Sequence, residues 1–165
     1  MIRKWVLAVV LILVSGSALA WNGALGLENG LSHLQVRALI DLEHDPAMDE
    51  QGPPAVKRYH ALEAPREVHP ATYLYTFHDD WLTELQATYK GKYARAEAER
   101  IRDLYGPPNT HETITLESGT DADFYVYMPH NFNLIRMADK IELTEVDDES
   151  GTMNSLVVDY AFSPQ

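Results

Sequence analysis

Histidine and carboxylate are the side chains of this chain best suited to acid–base work or metal ligation. There are 7 histidines, and Asp and Glu together number 25. The densest mixture is His78-Asp79-Asp80, an imidazole beside two carboxylates. Such a trio, with His130 as a further ligand, suits a divalent metal or a small metal-dependent hydrolase. The same three residues also suit a polar turn, which needs no metal. The other histidines, His33, His44, His60, His69 and His111, are scattered and show no HExxH spacing. Asp121 with Asp123, and Asp147-Asp148-Glu149, offer oxygen ligands for calcium but lack the spacing of an EF-hand loop.

Covalent chemistry has less support. The chain has no cysteine, which excludes thiol catalysis, CxxC redox chemistry and Cys-ligated zinc. Ser118-Gly119 and Ser150-Gly151 are turn dipeptides and not part of a G-x-S-x-G elbow. No glycine-rich phosphate loop occurs. No cofactor is expected, and the sequence commits the chain to no reaction.

Recognition residues are the better lead. Tyr125 and Tyr127 alternate with Phe124, Val126 and Met128, so the tyrosines lie on the opposite face of a strand. If Phe124, Val126 and Met128 face the core, the tyrosines face a partner, a setting in which tyrosine is enriched. Arg136, between Ile135 and Met137, is a candidate charged anchor. Charge narrows the partner. With 13 Lys and Arg, the formal net charge is −12, which repels nucleic acid and anionic membranes and favours basic surfaces.

These residues must be delivered and positioned. Residues 1–20 have the layout of a cleavable secretory signal. Arg3 and Lys4 precede an apolar run over 5–14, and small residues end in Ala18-Leu19-Ala20. Ten apolar residues are short for a membrane span. With no cysteine after Ala20, cleavage predicts a free secreted or periplasmic protein. Loss of Arg3 and Lys4 leaves 11 basic against 25 acidic residues, a formal −14.

The expected domain runs over 21–165. Residues 21–30 read as a flexible arm. Ser32 with Gln35 forms a capping-box pattern opening a helix that stops near Asp45, before Pro46. Five prolines make 46–71 irregular, with a short helix over 55–63 or an extended crawl as the alternatives. Alternation predicts a hairpin over 72–90, turning at His78-Asp79-Asp80. A second helix is predicted over 92–105, with Glu97, Glu99, Arg100 and Arg102 wet and Gly106-Pro107-Pro108 as its stop. About four antiparallel strands follow, and Leu156, Val158, Tyr160 and Phe162 form the last inward row. The halves before and after Gly91 read as two similar helix-plus-hairpin units.

The expected fold is therefore α+β: a mainly antiparallel sheet of five to six strands, with two or three helices packed on one face. The order helix, hairpin, helix, Leu104-Tyr105-Gly106-Pro107-Pro108, strands resembles small exported α+β binding proteins such as assembly factors and enzyme inhibitors. Such a topology carries no function by itself. The leading expectation is a non-enzymatic interaction domain for a protein or envelope partner of basic character, with no nucleic acid and no membrane after cleavage. The alternative is the hydrolase built on His78, Asp79 and Asp80.

Overall fold

Alternating side chains and tight turns carry the chain through eight strands. The computed structural model describes residues 25–49, 53–129 and 138–163. Its strands are β1 (Glu43–His44), β2 (Val56–Ala61), β3 (Thr72–His78), β4 (Trp81–Lys90), β5 (Thr110–Thr115), β6 (Asp121–Tyr127), β7 (Lys140–Asp147) and β8 (Met153–Ala161). They form one antiparallel sheet in the order β1-β2-β3-β4-β8-β7-β6-β5. Two four-stranded meanders thus meet at the β4–β8 pair, where Ala87 lies opposite Val158 and Leu85 opposite Tyr160. The helices are α1 (His33–Arg37), α2 (Pro46–Asp49) and α3 (Lys92–Tyr105). Each meander is preceded by a helix, but α2 lies between β1 and β2 of the first and has no counterpart in the second, so the halves before and after Gly91 differ in element order. Among the described residues, no helix is long and apolar enough to cross a membrane.

This corrects the expected architecture. Among the described residues the sheet has eight strands, and two of the three helices have only five and four residues. The added strands are β1 and β2, both from segments read as helical or irregular. Residues 55–63 are rich in helix formers, yet Val56 to Ala61 pair residue for residue with His78 to Tyr73 of β3. Tertiary pairing overrides local propensity there. The capping box at Ser32 and Gln35 is present, but α1 ends at Arg37. Leu34 and Leu39 of this segment are exposed, while Val36 and Ile40 are buried. The arm also differs from expectation, since Leu25 and Leu27 are buried in the core. Gly26 is required between them: its φ is +82°, and a Cβ would come within 2.8 Å of Arg66 Cγ.

The core lies on one face of the sheet. Tyr73, Tyr75, Leu85, Val158 and Tyr160 are fully buried there, with Ile141 and Leu143 beside them. β4 needs a bulge to hold this pattern. Thr76 pairs with Glu84 but Phe77 pairs with Leu82, so Thr83 is the extra residue and parity flips. Leu82 and Leu85 both face inward, where strict alternation would have put Thr83.

Helix α3 covers this face over β4 and β8. It starts directly off β4 because Gly91 takes φ +56°, a region disfavoured for other residues. It ends at Gly106, whose amide donates to the Arg102 carbonyl at 2.8 Å. Its buried side chains are Ala94, Glu97, Ala98 and Ile101. Glu97, expected to be wet, is fully buried and accepts two bonds from Arg100, from Nε at 2.8 Å and from an Nη at 2.6 Å. The Tyr105 and Tyr160 hydroxyls are buried without a hydrogen-bond partner among the described residues. Burial also holds the phenols of Tyr160 and Tyr89 well above their ordinary pKa.

Candidate functional site

His78, Asp79 and Asp80 form the β3–β4 turn. Asp79 has φ +49° and Asp80 φ +66°, and His78 pairs with Trp81 across them. Positive φ at both central residues is the two-residue turn that matches strand twist, and Asp tolerates it better than most residues. The turn also receives the N-terminal segment: the His33 amide donates to the Asp80 carbonyl at 2.8 Å. His78 Nδ1 lies 3.5 Å from an Asp79 carboxylate oxygen, and both side chains are more than half exposed. Among the described residues, no group of three or more His, Asp or Glu is arranged to hold a metal ion. His130 and Arg136 lie outside the described residues.

Tyr125 and Tyr127 lie on the face that carries α3. Tyr127 is 2% exposed, and its ring centroid lies 6.3 Å from that of Tyr105. Tyr125 is held between two groups, with the His111 ring stacked at 4.3 Å and 7° and the Arg102 guanidinium 5.1 Å from its centroid. Alternation separated the tyrosines from Phe124 and Val126 correctly, but the assignment of faces is reversed. Tyr125 lies opposite Leu143, and Tyr127 opposite Ile141, so the tyrosines belong to the covered row. A strand with apolar groups on both sides does not reveal which side a helix will cover.

Carboxylates gather beyond Tyr125. Asp121, Asp123, Glu145 and Asp147 line a cavity of about 200 Å³ with Thr113 and Ala122. Glu145 is buried and ion-paired with Arg102. Burial raises its pKa, the Arg102 contact opposes the rise, and Asp123 and Asp147 add to it.

The other face of the sheet carries a second acidic group, which the sequence reading did not single out. Directly paired residues across strands share a face, which gives the row Leu74, Gln86, Asp159, Glu142, Val126. Asp159 of β8 and Glu142 of β7 are immediate neighbours of like charge. Gln86 Nε2 donates to Asp159 Oδ1 at 2.9 Å, and Lys140 Nζ lies 3.0 Å from Glu142. Glu84, opposite Ala161, is exposed. Burial raises the Asp159 pKa; the Gln86 bond lowers it, and Glu84 and Glu142 raise it further. One row on stand Thr88, Val157, Thr144 and Phe124, with Val157 and Phe124 half-buried. The available signal was an acid between apolar neighbours within a strand: Ile141-Glu142-Leu143 and Val158-Asp159-Tyr160.

The arrangement has an acidic centre and an apolar shoulder. It suits charge-assisted hydrogen bonds to a cationic surface. Compared with protein-family models, with curated proteins and with solved structures, the chain gives no match.

Proposed function

We propose that this chain is a non-catalytic binding module, exported by the leader at 1–20, that docks the basic surface of a protein partner on the face of its sheet opposite α3. The observation that supports this reading best is the Glu142–Asp159 pair. Like charges directly opposite on adjacent strands oppose folding, so their position at the centre of the face opposite α3 is better explained by binding than by stability. Val157 and Phe124 supply apolar area beside the charges, and excess negative charge speeds encounter with a basic partner.

The test is capture from envelope extract at low and moderate salt. Wild-type protein is compared with Glu142→Gln/Asp159→Asn and with Glu99→Gln, a charge change on the exposed side of α3. The expected result is a set of captured proteins enriched in basic members, released by salt, lost in the double variant and kept by Glu99→Gln. A set without basic enrichment, or one indifferent to the double variant, contradicts the reading.

A further inference from the structure

The two edges of the sheet are finished differently. β1 has two residues, is followed one residue later by Pro46, and is flanked by α2, whose Met48 carbonyl accepts from Arg58 of β2. That edge is blunted in the ways natural sheets use. β5 has six residues, Thr110-His111-Glu112-Thr113-Ile114-Thr115, in unbroken register with β6. It contains no proline and no lysine, and none of the described strands pairs with its outer side.

The direction of its amides follows from the turn. Leu116 N donates to the Thr120 oxygen at 2.8 Å, which fixes the hydrogen-bonded pairs at Leu116, Ile114 and Glu112. The alternating ladder then aims the N–H and C=O groups of His111, Thr113 and Thr115 away from β6. The side chains of those three residues lie on the face of the acidic cavity. Thr113 Oγ1 donates to Asp123 at 3.2 Å, and Thr115 Oγ1 to Asp121 at 2.8 Å.

We infer that β5 accepts an extended segment of the partner as a ninth strand, with Lys or Arg at alternate positions directed toward Asp121, Asp123 and Asp147. Main-chain bonds would supply affinity and the alternate side chains specificity. Charge selects this occupant over a second copy of the chain, whose β5 has no Lys or Arg and would bring the same carboxylates to the seam. The inference rests on the reading of a basic partner, but it concerns an edge and not the face opposite α3.

The probe is a synthetic heptapeptide alternating lysine with valine, its binding followed by fluorescence anisotropy. Its controls are a glutamate–valine peptide and a lysine–valine peptide N-methylated along one edge. The proline in Thr113→Pro removes an outward N–H while sparing the bonds to β6, and Asp123→Asn/Asp147→Asn removes charge without touching the edge. The lysine peptide should bind, and each variant should weaken it about tenfold, the scale of one or two such contacts. N-methylation and glutamate should abolish binding, and Glu142→Gln/Asp159→Asn should leave it intact. Absence of binding, equal binding by Thr113→Pro and by the N-methylated peptide, or a wild-type dimer that Thr113→Pro dissociates would each overturn the inference. If the peptide fails while salt-sensitive capture by the face opposite α3 persists, the edge assignment alone falls.

Discussion

The two faces of the sheet are built from the same strands but do different work. On the covered face, Tyr73, Leu85, Val158 and Leu143 are buried beneath or beside α3. One residue along each strand, Gln86, Asp159 and Glu142 stand half-buried on the other side. Each large apolar side chain on the first face contributes about 1.5–3 kcal/mol by leaving water. A like-charge neighbour on the second costs about 0.2–1 kcal/mol. The folding free energy is therefore concentrated on one side of the pleat. The other side can carry groups that folding alone would disfavour.

Substitutions on the covered face should be the most damaging. Glu97→Ala removes the fully buried carboxylate that pairs with the half-buried Arg100 and should cost about 3–5 kcal/mol in urea denaturation. Replacing both together, Glu97→Leu with Arg100→Met, should recover most of that loss. If the single variant is harmless, the buried pair does not hold α3 down. Ile101→Ala opens a cavity between α3 and the sheet and should cost about 2–5 kcal/mol by the same assay.

A smaller effect separates the faces by pH. Because the Asp159 pKa is raised in the folded chain, the native state holds that proton more tightly than the unfolded state. Stability contributed by this group is present at acid pH and is lost as pH rises through the folded-state pKa. Asp159→Asn should remove that loss, which denaturation curves on either side of the carboxylate range would detect. An unchanged pH profile would mean that Asp159 is not strained by its neighbours.

The faces also differ in how far the sequence revealed them. The inward row Leu156, Val158, Tyr160, Phe162 and the limits of α3 were legible, because strict alternation and a Gly-Pro-Pro stop leave little choice. The inward side of α3 was not, since a glutamate reads as wet until the arginine one turn on is seen to pair with it. β2 was hidden because Lys57, Arg58 and Ala61 suit a helix as well as Val56 and Tyr59 suit a strand, and only pairing with β3 decides. At the candidate site, the His78-Asp79-Asp80 turn was legible as a turn. Glu142 and Asp159 meet only through β7–β8 pairing, and no spacing within one strand announces a contact made across two.

The most direct measurement is the stability of Glu142→Gln/Asp159→Asn at neutral pH and low salt. If the face opposite α3 is arranged for a partner and not for the fold, the double variant should be as stable as the wild type or more stable by about 0.5–1 kcal/mol. A loss of stability would contradict the account, because it would make the acidic pair part of what holds the sheet together.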